Sequence, residues 1–244
     1  MNILSIGNSF SQDAQRYLHE IAKKDGVKLE TYNLYIGGCS LEHHYRNMKS
    51  GSEEYTLEMN GASTGFMVSL KKALLNRPWD VVTLQQASHK SPYYEAYQPY
   101  LNELVKFVRE CVPCAKIVIH QTWAYEENSR RLNEELGYSH HTDMFRDVKE
   151  SYDRAAKDVD ADFIIPSGAV LEKLLESGIE KIHRDTFHAR LGLGRYALGL
   201  IWYMMLTGND IENNAFCDFD EAVTEEEIQT AKKCVKEVYN EYKN

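Results

Sequence analysis

Residues 2–11 decide the fold, and they read Asn2-Ile3-Leu4-Ser5-Ile6-Gly7-Asn8-Ser9-Phe10-Ser11. The run Asn2–Ile6 is short and apolar, which is typical of a buried strand. It ends at Gly7, where a glycine permits a sharp turn. Apolar residues at helical spacing follow from Gln12 to Lys24. The stretch therefore predicts a strand, a tight turn and a helix.

The alternation of apolar strands with helices continues along the chain. Four further strands are predicted, at Lys28–Ile36, Asp80–Leu84, Lys116–His120 and Asp162–Ile165. The other predicted helices are Met67–Asn76, Tyr100–Glu110, Thr142–Val159, Ser167–Glu176, Leu191–Leu206 and Thr224–Tyr242. Residues 41–64 and 124–141 are polar and show no clear periodicity. The pattern predicts an α/β fold, a three-layer α/β/α sandwich around a five-stranded, parallel, doubly wound sheet.

Length, composition and charge limit the classes of function. With 244 residues, of which 43% are hydrophobic, we expect a single domain spanning residues 1–244. The net charge of −9 argues against nucleic acid as a partner, because phosphate binding requires a basic surface. No apolar run approaches the roughly 20 residues that span a membrane, and no leader pattern precedes the first strand. We therefore expect a cytoplasmic protein that acts on a small molecule, and the sequence indicates no oligomeric state.

The residues that follow each strand are the candidates for a site, because ligands of such sheets bind outside the carboxyl ends of the strands. Ser9 follows the first strand, at a helix start where free N–H groups favour a developing anion. The alternative is that Ser9 or Ser11 only caps the helix. Gly37-Gly38 follows the second strand, and a glycine N–H there can donate to an oxyanion. The alternative is that the two glycines only form an ordinary turn.

Later strands end on amides and on a histidine loop. Gln85-Gln86 follows the third strand and can donate hydrogen bonds into a site, or else belongs to a solvated loop. Gln121 and Trp123 follow the fourth strand and are expected to border the pocket. Asp185-Thr186-Phe187-His188 precedes the apolar helix near Leu191. A serine nucleophile needs a base within hydrogen-bond reach, and an acidic partner fixes the tautomer of that base.

The order of these segments resembles the SGNH (GDSL) hydrolase superfamily. Gly7-Asn8-Ser9-Phe10-Ser11 is similar to the first, Gly-Asp-Ser-like block, with Asn8 in place of the usual Asp. Gly38 matches the glycine block, and Asp185-Thr186-Phe187-His188 matches the late Asp-x-x-His block. The third block departs, since Gln85-Gln86-Ala87-Ser88 stands where the family has Gly-x-Asn-Asp.

The resemblance implies a flavodoxin-like SGNH fold and a serine esterase with Ser9, His188 and Asp185 as its triad. The implied oxyanion hole consists of Ser9, Gly38 and a glutamine amide, with Gln86 favoured over Gln85. Asn8 is expected to contact the substrate, together with Gln121 and Trp123. Aromatic residues near the strand ends can line a site for a sugar, or else pack a loop against the core. Taken with the substrates usual in the family, they favour a small acyl group, such as acetyl, on a carbohydrate or similar molecule.

Two other interpretations compete with the esterase. Metal-dependent hydrolysis would need ligands at fitting spacing, but the pairs His43-His44 and His140-His141 are adjacent rather than four apart. We therefore expect neither a metal nor a cofactor. A flavodoxin-like, non-enzymatic binding module would share the sheet, but its first loop would need a phosphate-binding glycine pattern that residues 7–11 lack.

Overall fold

A computed structural model describes residues 1–243 and contains seven strands. They are β1 (Asn2–Gly7), β2 (Glu30–Tyr35), β3 (Tyr55–Met59), β4 (Ala62–Val68), β5 (Val81–Leu84), β6 (Lys116–Gln121) and β7 (Phe163–Pro166). Their order across the sheet is β4-β3-β2-β1-β5-β6-β7. Five neighbouring strands pair in parallel, in the order β2, β1, β5, β6 and β7, which confirms the predicted α/β sandwich.

The two additional strands form an antiparallel hairpin at one edge and correct the expected count of five. β3 pairs with β2, and β4 is the edge strand. Most of β4 is exposed, so it carries no apolar periodicity. The dipeptide Asn60-Gly61 was the available signal, because both residues have positive φ, 51° and 78°, as a tight hairpin turn requires.

Nine α-helices are present within residues 1–243, besides one short 3-10 turn at Tyr94–Ala96 and one short π-helical turn at Arg131–Glu135. The α-helices are α1 (Ser9–Gln15), α2 (Leu18–Lys24), α3 (Leu41–Ser50), α4 (Leu70–Leu75), α5 (Tyr100–Cys111), α6 (His141–Asp158), α7 (Ser167–Glu176), α8 (Leu193–Thr207) and α9 (Glu225–Tyr242). The predicted helix Gln12–Lys24 is divided into α1 and α2. The predicted helix Met67–Asn76 is shorter, since Met67 lies in β4 and Ser69 caps α4.

The helices cover the sheet in two groups. Helices α1, α2, α7, α8 and α9 pack against one another, and α3, α4 and α5 form the other group, while α6 packs on β6. Helix α8 is buried along most of its length, as expected for a helix that is apolar on all sides. None of the nine helices is long and apolar enough to cross a bilayer, counting residues 1–243 only.

The parallel pairing brings the carboxyl ends of β1, β2, β5 and β6 to one edge of the sheet. The loops that follow these strands therefore meet there, as the topology rule for such sheets requires. The segment between α7 and α8 reaches the same edge and carries His188, whose side chain contacts Ser9 in the loop after β1.

Candidate active site

Ser9 is the first residue of α1, and its neighbours leave its hydroxyl free. Asn8 is the N-cap, and its Oδ1 accepts a hydrogen bond of 2.9 Å from the N–H of Phe10. Ser11 completes the capping box, since its Oγ accepts from the N–H of Asn8 at 3.0 Å. Gly7 is required beside this box, because a Cβ there would lie 2.0 Å from the Ser11 hydroxyl. The capping role is thus filled by Asn8 and Ser11 rather than by Ser9.

The structure brings Ser9, His188 and Asp185 into one hydrogen-bonded chain. The Nε2 atom of His188 lies 2.8 Å from the Oγ of Ser9, and its Nδ1 lies 2.8 Å from the Oδ2 of Asp185. The backbone N–H of His188 also donates to Asp185 Oδ1 at 2.9 Å. Thr186 makes this short loop possible with a φ of 78°, a left-handed conformation that is uncommon for a β-branched residue.

The Asp185 carboxylate sets the protonation pattern of the chain. Burial raises the pKa of Asp185, but the hydrogen bonds from the side chain and backbone of His188 lower it by more, so the net shift is downward. Asp185 is therefore ionised at neutral pH and accepts a proton-bearing Nδ1 from His188. The Nε2 lone pair of the neutral imidazole is then left to accept the Ser9 O–H.

Two backbone N–H groups are available beside Ser9. The Nδ2 of Asn8 donates to the carbonyl of Cys39 at 3.0 Å, which ties the loop after β1 to the glycine loop after β2. Ser9 and Gly38 line the same cavity as a result. Neither the Ser9 N–H nor the Gly38 N–H has a hydrogen-bond acceptor within residues 1–243. Both are free to donate to an oxyanion.

The two glutamines after β5 correct the predicted oxyanion hole. The Nε2 of Gln86 donates to the carbonyl of Ala96, and its Oε1 accepts from the N–H of Leu41, so its amide is held in the interior. The Nε2 of Gln85 donates to Asn8 Oδ1 at 2.7 Å. Its Oε1 lies 2.6 Å from Nδ1 of His120, a buried imidazole whose pKa burial lowers to about 3. One N–H of each amide is engaged in this way, and neither glutamine lines the cavity that Ser9 and Gly38 share, so both support the site from behind.

Of the three residues expected to contact a substrate, Trp123 and Gln121 lie in the interior and only Asn8 lines the cavity. Trp123 is fully buried, stacks on Phe10 at 4.1 Å, and donates its indole N–H to the carbonyl of Phe187. Gln121 is also fully buried, and its Oε1 accepts from the N–H of Ala169. Asn8 does line the cavity, although its side chain is occupied by the three hydrogen bonds described above. Trp123 anchors the histidine loop instead of contacting a ligand.

The cavity over Ser9 has a volume of about 370 Å³. It is lined by Asn8, Ser9, Phe10, Tyr35, Gly37, Gly38, Ser88, His89, Tyr125, Arg131, Phe187 and His188. The hydroxyls of Ser88 and Tyr125 lie 2.9 Å apart. One hydrogen bond uses one of their two protons, so the pair has a second proton to donate. Sequence reasoning missed Ser88, His89 and Arg131, because the loops that carry them have no periodic pattern.

A buried carboxylate joins α1 to the loop that carries His188. Asp13 lies in α1, is fully buried, and accepts from the N–H of Ala189 at 3.1 Å. Its oxygens also accept from the guanidinium groups of Arg184 and Arg195, each at 2.9 Å. Because Ala189 follows His188 directly, this ion-pair cluster fixes the imidazole relative to the helix that carries Ser9.

The two histidine pairs considered as metal ligands point to separate partners. His44 is buried against Tyr55, whereas His43 lies near Glu54. His140 contacts Glu127, and His141 contacts Glu172. Counting residues 1–243, no group of three or more His, Cys, Asp or Glu side chains is placed to hold a metal ion.

Comparisons with known proteins agree with this architecture. Residues 2–238 match the family model described as "Domain of unknown function (DUF4886)". A crystal structure of a DUF4886 family protein from Bacteroides uniformis is 31% identical, with a TM-score of 0.92 over 98% of this chain and 95% of that chain. No curated protein matches the chain.

More distant solved structures identify the fold. A protein from Slackia heliotrinireducens proposed to be an SGNH hydrolase is 23% identical, with a TM-score of 0.63 over 84% of this chain and 98% of that chain. Est24, a carbohydrate acetylesterase from Sinorhizobium meliloti, is 12% identical, with a TM-score of 0.53 over 85% of this chain and 98% of that chain. The chain therefore belongs to the DUF4886 family and has the fold of the SGNH hydrolases.

Proposed function

We propose that the protein is a serine esterase that hydrolyses a carboxylic ester through Ser9, His188 and Asp185. The observation that carries the proposal is the chain of two 2.8 Å contacts from Asp185 through His188 to Ser9. A hydroxyl, an imidazole and an ionised carboxylate in this order are what a serine nucleophile needs. A flavodoxin-like binding module would have no use for this arrangement.

The first half of the reaction forms an acyl-enzyme. His188 Nε2 takes the proton of Ser9 as Oγ bonds to the ester carbonyl carbon, and the carbonyl oxygen becomes an oxyanion. The free N–H groups of Ser9 and Gly38 donate to that oxygen, and the spare proton of the Ser88–Tyr125 hydroxyl pair is our candidate for a third donor. The protonated His188 then gives its proton to the departing alkoxide as the ester C–O bond breaks.

The second half releases the acid. His188 takes a proton from water as the water oxygen bonds to the acyl carbon, and the same N–H groups hold the new oxyanion. Collapse breaks the bond to Ser9 Oγ, which regains a proton from His188. Asp185 keeps the imidazole in one orientation throughout and stabilises its positive charge.

The substrate we propose carries a small acyl group, such as acetyl, on a carbohydrate or similar small molecule. The cavity is modest at about 370 Å³, and Tyr35, Tyr125 and Phe187 line it. Aromatic rings with a polar edge suit a sugar that must be both packed and hydrogen-bonded. One solved structure of the same fold is a carbohydrate acetylesterase, which makes acetylated sugars the first panel to assay.

The test is hydrolysis of phenyl acetate by the wild type and by Ser9→Ala and His188→Ala. Each substitution removes a group that takes part in every step, so we expect turnover to fall by about 10⁴- to 10⁶-fold. Ser63→Ala is the matched control, because Ser63 is exposed in the edge strand β4, away from the cavity. It should hydrolyse phenyl acetate at the wild-type rate.

Covalent labelling provides a second readout that needs no knowledge of the substrate. A fluorophosphonate reacts with an activated serine, so mass spectrometry should find the label on Ser9 in the wild type and none after His188→Ala. If Ser9 is unlabelled in the folded protein and no ester is cleaved, the esterase is wrong and the binding module is favoured.

A further inference from the structure

The wall of the cavity has an unusual charge for this protein. The chain carries a net charge of −9, yet none of the described residues that line the cavity is an aspartate or glutamate. Asp185 lies on the adjoining loop, where His188 engages both of its oxygens. Arg131 is the one permanently charged side chain among the described lining residues. A neutral substrate gives no reason for a cation at this position.

Arg131 is held in place by stacking rather than by an ion pair. Its guanidinium carbon lies 4.1 Å from the centre of the Phe187 ring, and Phe187 precedes His188. The stacked face leaves the N–H edges of the guanidinium directed away from the ring, and its neutral neighbour in the cavity wall is the Tyr125 hydroxyl, whose pKa burial raises and the nearby charge of Arg131 lowers in part. The carboxylate that approaches it, Glu135, is 4.0 Å away, and both side chains are over 40% exposed. An ion pair this long and this exposed contributes little to holding the Arg131 side chain in one position.

The other ionisable groups near Arg131 leave it as the source of positive charge. Burial lowers the pKa of His89, and the charges of Lys90 and Arg131 lower it further, so this imidazole is neutral at pH 7. Burial raises the pKa of Tyr125, so its hydroxyl stays protonated. Lys90 is paired with Glu42 at 3.3 Å. A guanidinium beside neutral donors is a site for a carboxylate.

We propose that Arg131 forms a subsite for a carboxylate, and that the esters cleaved at Ser9 carry this negative charge in their acyl or alcohol part. The inference rests on the proposed esterase function and narrows its substrate class. Arg131 is then a specificity-determining residue: the planar guanidinium binds the carboxylate in a bidentate manner, while Phe187 keeps it parallel to one wall.

The kinetic test compares three aryl esters. Phenyl acetate is neutral, 3-acetoxybenzoate carries a carboxylate on the leaving group, and monophenyl succinate carries one on the acyl group. We expect the wild type to show a higher kcat/KM for one of the two charged esters, which identifies the part of the substrate that faces Arg131. Arg131→Gln should lower that value by about 10- to 100-fold and should lower kcat/KM for phenyl acetate, which has no carboxylate, by a much smaller factor.

Arg130→Gln is the matched control. Arg130 precedes Arg131, is 78% exposed and pairs with Glu134 at 3.2 Å, outside the cavity. It removes the same charge from the same turn, so it should leave all three esters unchanged. Equal losses on charged and neutral esters after Arg131→Gln would mean a structural role and would overturn the subsite, as would no loss on either.

A binding measurement separates this inference from the esterase itself. Calorimetry with 3-hydroxybenzoate and, separately, with succinate covers both parts of the ester; it compares Ser9→Ala with Ser9→Ala carrying Arg131→Gln and requires no turnover. We expect binding of one of the two acids to weaken by about 10- to 100-fold without Arg131. Equal binding of both acids by both proteins contradicts the subsite even if phenyl acetate is cleaved. A large difference in binding with no cleavage of any ester by the wild type contradicts only the esterase.

Discussion

Two carboxylates flank the histidine loop, and they differ in almost every respect. Asp185 is 46% exposed and accepts from the side chain and backbone of His188. Asp13 is fully buried and accepts from Arg184, Arg195 and the N–H of Ala189. The exposed carboxylate contacts the group that would move protons, and the buried one contacts the structure that holds it. We infer that activity depends on Asp185 and stability on Asp13.

The largest effect that would sharpen this contrast is the loss of activity in Asp185→Asn. A neutral amide can hold the imidazole but cannot stabilise its positive charge, and it can also hold the wrong tautomer. We expect kcat on phenyl acetate to fall by about 10³- to 10⁴-fold. The free energy of unfolding in urea should change by less than about 1 kcal/mol, because the Asp185 side chain is 46% exposed and water solvates it in part. A loss of activity below tenfold would remove Asp185 from the proposed triad.

The next effect is the destabilisation of Asp13→Asn. Arg184 would keep its charge in a largely buried setting without its carboxylate partner, and Arg195 would retain only Asp220. Breaking a buried pair in this way typically costs about 3–5 kcal/mol of unfolding free energy, measurable by urea denaturation. The loop would also be less firmly held, so residual activity should fall together with stability.

Asp220→Asn is the control within the same cluster. Asp220 accepts from Arg16 and Arg195, but its side chain is 24% exposed and lies at the rim. Water can solvate the two arginines at this position after the substitution, so we expect the free energy of unfolding to fall by about 1 kcal/mol or less. If Asp13→Asn is no more destabilising than Asp220→Asn, burial is not what distinguishes the two carboxylates, and the contrast with Asp185 fails.

The smallest effect concerns the pH dependence of stability. The pKa of Asp185 in the folded protein lies below its usual value of 3.8, because the hydrogen bonds from His188 outweigh the effect of burial. Its ionised form therefore adds stability above about pH 4, and this contribution is lost as the pH falls through the lower, folded-state pKa. The exposure of the group limits the contribution to a few tenths of a kcal/mol.

The measurement compares the wild type with Asp185→Asn by urea unfolding at several pH values. The difference in unfolding free energy should be present near pH 5 and should fade as the pH is lowered through the folded-state pKa, which lies below 3.8, because the wild-type carboxyl is then protonated as well. A difference that stays constant over this range would mean that the charge of Asp185 does not contribute to the stability of the fold.

The same contrast between open and buried positions explains what could be predicted of the fold. Strands β1 and β5 are buried on both faces, so their sequences are nearly continuous apolar runs, interrupted only by small hydroxyl residues, that sequence analysis detects. The edge strand β4 is mostly exposed on both faces, so its sequence shows no alternation of apolar and polar residues. The pattern of apolar residues therefore does not predict the hairpin, and the dipeptide Asn60-Gly61 is the local signal for it.

In the candidate site, local chemistry and the family resemblance identified the residues, and three-dimensional packing assigned their partners. Ser9 at a helix start and Asp185 three residues before His188 are features of short sequence segments. The position of the Gln86 side chain is not, because its amide is held by Leu41, the first residue of α3, and by Ala96, in the segment between β5 and α5. Trp123 likewise follows a strand end as predicted, yet it packs inward on Phe10.

The sequence by itself determined the alternation of buried strands and helices, and hence the edge of the sheet at which Ser9 and His188 meet, because periodicity and turn chemistry act over a few residues. Only the tertiary structure decided which polar side chains face the cavity. Asp13 finds its partners more than 170 residues away, and Arg131 gains its position from Phe187. Side-chain direction in a loop depends on hydrogen-bond partners brought from distant segments, and no local pattern encodes them.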